Sequence, residues 1–192
     1  MGATPTLDTQ TVTVFFALLA GLAQAVVVFA VVLALAARTG RLRQIRERVV
    51  ASVGPQALAL ATLVALVCTA GSLYLSEVAG FPPCKLCWYQ RIAMYPLVIV
   101  LGLAAWRKDY SVGRYVVPLC GIGGVISVYH IMVERMPALE GGACDPTNPC
   151  SIIWVQHLGY MTIPTMALSG FALITTLCLT ARAWQQTAGG QL

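Results

Sequence analysis

Apolar positions in this chain run in long blocks instead of alternating with polar ones. Five blocks, at about residues 12–37, 56–76, 89–106, 115–133 and 163–181, contain Arg91 as their one charged residue. A bilayer's hydrocarbon core takes about 20 helical residues to cross. Backbone groups in lipid must be satisfied within the segment or in a closed barrel. Continuous apolar runs with no period of two predict helices, so the pattern predicts an all-α, polytopic integral membrane protein.

Composition agrees with this. Of 192 residues, 58% are hydrophobic and 10% charged, against roughly 25% charged in soluble domains. Residues 1–11 carry no Lys or Arg, and the first block is too long for the apolar core of a secretory signal, so it is expected to stay as a membrane helix.

The net charge of +5 is explained by where the cations lie. Arg38, Arg41, Arg43, Arg46 and Arg48 follow the first block, Arg107, Lys108 and Arg114 separate the third and fourth, and Arg182 follows the fifth. If all five blocks span, these share one side, and only Lys85, Arg91 and Arg135 fall on or near the other. The positive-inside rule then puts the amino terminus outside and the carboxyl terminus in the cytoplasm. Basic residues distributed in this way report topology and contact with membrane lipid. They give no reason to expect a nucleic-acid partner.

Four of the seven cysteines fall in the two outer loops: Cys84 and Cys87, then Cys144 and Cys150. Disulfides persist in extracytoplasmic compartments. Cys68, Cys120 and Cys178 lie inside apolar blocks and are expected to pack as small hydrophobes. Pro82-Pro83 precede Cys84-Lys85-Leu86-Cys87, which suits a helix start and puts both cysteines in the first turn. Unpaired N–H groups and the positive helix end favour a thiolate there, as does a neighbouring lysine. Arg91 stands four residues beyond Cys87, on the same helix face. An arginine at membrane depth either serves a site or snorkels to the headgroups. Gln90 is a further hydrogen-bond donor at that depth.

The outer loop after the fourth block is long and carries Cys144-Asp145-Pro146-Thr147-Asn148-Pro149-Cys150. A bridge between its cysteines is sterically plausible but not demanded. Residues 151–158, apolar and opening on a possible N-cap serine, are expected to lie along the membrane surface. His130, near the outer end of the fourth block, either reaches a bound group or bonds a helix carbonyl. His157 reads as a polar spot on its segment. The four loop cysteines admit three uses: redox exchange, a four-thiolate zinc site, or a pair of structural staples. Haem attachment is excluded because Trp88, not histidine, follows Cys87. A CxxC closes too little chain to make a good staple.

The run Pro83-Cys84-Lys85-Leu86-Cys87-Trp88-Tyr89-Gln90-Arg91 and its continuation Ile92-Ala93-Met94-Tyr95-Pro96 resemble the signature of the DsbB-type disulfide-bond formation proteins, in particular their Gram-positive BdbC branch. Thr162-Ile163-Pro164-Thr165-Met166-Ala167-Leu168-Ser169 fits as well. The resemblance covers about residues 56–181. It implies a four-helix transmembrane bundle at 51–192 and leaves 1–50 as an extra N-terminal transmembrane helix with a basic cytoplasmic linker. It also implies a membrane thiol oxidase that reoxidises an extracytoplasmic thioredoxin-fold partner of the DsbA or BdbD kind and passes electrons to ubiquinone or menaquinone. By residue, it implies that Cys87 faces the quinone, Cys84 relays to the loop, Cys144 and Cys150 exchange with the partner, and Arg91 supports the quinone. Gln90 and His130 are further candidates for that site. The alternative is a disulfide-stapled or zinc-binding membrane organiser without redox turnover.

Overall fold

The computed structural model describes residues 8–142 and 144–189. Among these are six α-helices: α1 (Thr9–Arg38), α2 (Arg43–Val53), α3 (Ala57–Leu73), α4 (Lys85–Arg107), α5 (Gly113–Arg135) and α6 (Ile163–Gly189). A two-stranded hairpin joins β1 (Gln156–His157) to β2 (Met161–Thr162). Five segments are long and apolar enough to cross a membrane: Thr9–Arg38, Arg43–Val78, Lys85–Arg107, Tyr110–Arg135 and Ile163–Thr187. The protein is thus an all-helical, multi-pass membrane protein.

The second span is longer than its apolar block. The basic stretch after α1 is itself helical from Arg43, and Arg43 and Glu47 pair at 2.9 Å on its exposed face. That i,i+4 spacing supports the exposed side of a helix that buries Val50 and packs Val53 against the core. A 3-10 turn at Gly54–Gln56 carries α2 into α3.

Helices α3, α4, α5 and α6 form the packed core, and α1 lies against α6. Leu97, Leu101, Val116, Phe171 and Ile174 are fully buried at its centre. Helices α5 and α6 approach closely at Gly123, where an added Cβ would lie 2.3 Å from the Phe171 ring. The missing side chain makes the slot that Phe171 fills. Successive spans turn back on one another, so most of the basic residues gather at one end and Cys84, Cys87, Cys144 and Cys150 at the other. At the basic end, the Trp184 ring meets Tyr110 edge-on at 4.9 Å.

Helix α1 presents small residues to the bundle. Thr13, Ala17, Ala20 and Ala23 are buried at spacings of three and four, the composition that lets membrane helices approach closely. Polar contacts add to this: Gln24 Nε2 donates to Ser169 Oγ at 3.0 Å and Tyr160 Oη to Gln24 Oε1 at 2.9 Å. His157 Nε2 meets Thr13 Oγ1 at 3.1 Å, so this histidine ties the hairpin to α1.

At the cysteine end, residues 151–158 form no helix. They run irregularly into the hairpin, and the Ser151 hydroxyl donates to Glu140 Oε2 at 3.1 Å instead of capping a helix.

Candidate functional site

Cys84 is the N-cap of α4, with extended backbone behind the two prolines. Its sulfur accepts the Cys87 N–H at 3.4 Å, and the two sulfurs stand 3.0 Å apart without a bond. This places Cys84 Sγ where the unpaired N–H groups of a helix start converge. The Cys84 thiol is pulled well below the ordinary thiol range by the hydrogen bond from the Cys87 thiol. Burial opposes the shift, and His130 reinforces it. Lys85 acts elsewhere. Its charge helps hold the Asp145 carboxyl low, after the larger effect of the Thr147 N–H and hydroxyl.

Cys144 and Cys150 are joined by a disulfide with Cα atoms 5.9 Å apart. Cys144 is 8% exposed and Cys150 1%. Both pack with Cys84, Leu86 and Val133, so the two cysteine loops share one small core. Several contacts hold this loop down. Glu140 Oε1 accepts the Cys150 N–H at 2.8 Å, and Asn148 Nδ2 donates to the Pro83 carbonyl at 3.2 Å. Phe81 stacks on Trp154 at 5.3 Å. His130 Nε2 donates to the Cys150 carbonyl at 3.1 Å and lies 3.7 Å from Cys84 Sγ. One imidazole therefore touches both loops. Its Nδ1 is buried and has no partner among the described residues, while Glu134, one turn on, accepts the Thr162 hydroxyl at 2.7 Å.

Cys87 lines a cavity of about 390 Å³ between α1, α3, α4 and α6. Gln90, Arg91 and Ser72 share its lining; Cys84 and His130 do not. Those two meet Cys87 and Glu134 at a small separate cleft. Arg91 is 8% exposed and does not snorkel. Its Nε donates to Ser72 Oγ at 3.0 Å, its Nη2 donates to the Ser72 carbonyl at 2.9 Å, and its guanidinium lies 5.1 Å from the Trp88 ring. Gln90 is buried and donates to Ser127 Oγ at 3.2 Å. Cys120 and Cys178 lie in the apolar core, and Cys68 forms part of the cavity wall.

Ligand atoms of Cys84, Cys87 and His130 lie within 4.8 Å of one another, a spacing that could hold a thiophilic metal ion. With Cys144 and Cys150 bonded together, the four cysteines do not present four thiolates. Ser72, Glu140 and Asn148 are site residues with no direct signal in the sequence. Only Ser72 had an indirect signal, since an arginine in an apolar helix requires a polar partner at its own depth.

Comparison with known proteins fixes the family. The profile of Disulfide bond formation protein DsbB matches residues 55–181. The chain belongs to the DsbB family. It is 45% identical over 119 residues to Disulfide bond formation protein C of Bacillus subtilis (strain 168), covering 61% of this chain and 86% of the relative. It is 44% identical over 117 residues to a probable disulfide formation protein of Oceanobacillus iheyensis, covering 60% and 81%. A probable disulfide formation protein of Coxiella burnetii matches at 43% over 113 residues, covering 58% and 77%. No solved structure matches the chain. Membership in the DsbB family implies thiol oxidoreductase activity, and α1 lies outside the matched region.

Proposed function

We propose that this DsbB-family protein reoxidises an extracytoplasmic, thioredoxin-fold dithiol protein of the DsbA or BdbD kind and delivers the electrons to membrane quinone, with its cysteine end outside the cytoplasm. One observation carries the reading. Cys87 opens onto an apolar cavity with a cationic corner, while Cys84, one helical turn away, packs against the second disulfide. Cys87 thus lines both the cavity and the cleft that holds Cys84, whereas Cys84 lines the cleft alone.

The cavity's donor set fits a quinone. Its walls are apolar, and Arg91 and Gln90 bring hydrogen-bond donors to the same end as the Cys87 sulfur. A bound ubiquinone or menaquinone supplies a two-electron, two-proton sink and leaves as quinol. Arg91, fixed by Ser72, stabilises negative charge beside Cys87.

The thiol steps balance within the chain. A partner thiolate attacks Cys144, the more exposed of the bridged pair, and releases Cys150 as thiolate. Cys150 attacks Cys84 of the Cys84–Cys87 disulfide and releases Cys87 as thiolate in the cavity. The partner's second thiol closes its own disulfide and frees Cys144, which then recovers Cys150 and releases Cys84. Two electrons now rest on Cys84 and Cys87, and closing that bond releases them with two protons. The lowered pKa makes Cys84 a good leaving group in this exchange.

The test uses purified, reduced protein mixed with soluble benzo- and naphthoquinone analogues. Quinol formation is followed and the reoxidised cysteines are mapped, with Cys87→Ser as control. One quinol per rebuilt Cys84–Cys87 bond, absent from the control, is expected. Quinol no higher than the control for both ring types would leave the cysteine pairs as structural or metal-binding elements.

A further inference from the structure

We infer that α1, the helix outside the family match, is a wall of the acceptor cavity and selects for a quinone carrying an isoprenoid tail. This rests on the proposed quinone reading and extends it to the part of the ligand that does no chemistry.

The cavity is amphipathic along its length. Its polar atoms collect at the cysteine end, around Cys87, Gln90, Arg91 and Ser72. From there it continues between α3 and α6 as far as Leu63 and Leu173, over walls with no charged group. The span Leu63–Ser72 on α3 corresponds to ~14 Å of helix rise. A ring alone would occupy the polar corner and leave the remaining slot unfilled. A ring with a long apolar tail matches both parts.

Helix α1 closes this slot. Phe16, Leu19, Ala20 and Ala23 recur at helical spacing, and all four line the cavity. Phe15 and Leu18 on the other side of the helix are largely exposed, Leu18 at 62%. Ala20 and Ala23 are small where the slot needs room. Phe16 covers α3 at Gly71, where an added Cβ would lie 2.9 Å from its ring. The Gln24 contacts to Ser169 and Tyr160, and the Thr13 contact to His157, fix α1 in register with the slot. Without α1, this side would open to lipid.

The test is equilibrium binding to the full-length protein with both disulfides formed, so that no turnover occurs. Quenching of tryptophan fluorescence is a suitable readout because Trp154 lines the cavity. Each quinone ring type is offered without a tail and with a four-unit isoprenoid tail. The ratio of tailed to tail-less Kd is expected to rise at least tenfold in Ala20→Phe and Ala23→Phe, which fill the slot from α1. Leu18→Phe, facing away, keeps the parent ratio. Phe16→Ala removes wall without adding bulk, and is expected to raise the ratio severalfold even if the filling variants fail to fold. A parent ratio in all α1 variants overturns the inference and leaves α1 as a brace. A parent that binds neither quinone overturns the underlying acceptor reading as well.

Discussion

Cys150 is 1% exposed, so a soluble thiol reaches the Cys144–Cys150 bond only when the loop lifts. Glu140→Ala is the sharpest test of what holds the loop down. The carboxylate accepts the Cys150 N–H at 2.8 Å and the Ser151 hydroxyl at 3.1 Å. Hydrogen bonds to a charged group contribute about 1.5–3 kcal/mol each when well buried. Glu140 is only partly buried, so about 2 kcal/mol for both together is a reasonable total. At 1.4 kcal/mol per tenfold, the open population rises about 30-fold. When opening and closing are fast relative to attack, the reaction rate tracks that population. The assay is the rate at which a small dithiol reduces this disulfide in a Cys84→Ser/Cys87→Ser background, read by alkylation and mass. High salt removes the separate effect of deleting a charge near an anionic attacker. Glu140→Gln, which keeps an oxygen acceptor for the Cys150 N–H, is expected to accelerate reduction only a few-fold. A Glu140→Ala rate within threefold of the parent would refute the loop latch.

The lowered Cys84 thiol means that the reduced folded protein binds fewer protons than the unfolded chain between the two pKa values. The resulting stabilisation is full above about pH 9, the ordinary thiol value, and is lost as pH falls through the depressed one. Cys84 alkylation is therefore expected to stay level from about pH 9 to below pH 6, with His130→Ala moving its fall to higher pH; a tenfold loss per unit from pH 8 would contradict this. Arg91→Lys keeps the charge but not the two-pronged hold on Ser72, and is expected to raise the quinone Kd about tenfold, with Arg91→Met raising it further. Gly123→Ala drives a methyl group into Phe171 and is expected to cost about 1–3 kcal/mol in detergent unfolding, partly recovered by adding Phe171→Leu. An unchanged melting temperature in Gly123→Ala would show that the α5–α6 contact yields.

Hydropathy made the spans legible because lipid imposes one strong constraint over some 20 residues at a time. Pro82-Pro83 made the start of α4 legible, and the four-residue step from Cys87 to Arg91 put both on the face that now lines the cavity. The same uniform hydropathy hid what α1 does. A helix apolar all round shows no preferred face, so its cavity-lining side became visible only through its neighbours. The helical basic stretch from Arg43 was hidden because propensity alone had to oppose a charge pattern that reads as linker. Glu140 and Asn148 act on Cys150 and Pro83, and contacts between loops leave no periodic trace in sequence. His130 lies near the C-terminal end of α5, as its place in the fourth apolar block predicts. Its contacts with Cys84 and the Cys150 carbonyl depend on how two distant loops fold together.

The placement of polar groups in the cavity has an electrical consequence. Among the described residues its lining includes no carboxylate, histidine or lysine, and Arg91 stands at the cysteine end with Cys87. Towards the basic end the walls are side chains such as Leu63, Val64 and Val26. Protons released as the proposed dithiol closes, and protons taken up by its acceptor, therefore enter and leave from the same face of the bilayer. Moving one elementary charge through 100 mV involves about 2.3 kcal/mol, but a cycle built this way moves none. Its rate is expected to be indifferent to membrane voltage, so disulfide formation could continue at the same pace in a de-energised cell as long as oxidised quinone remains.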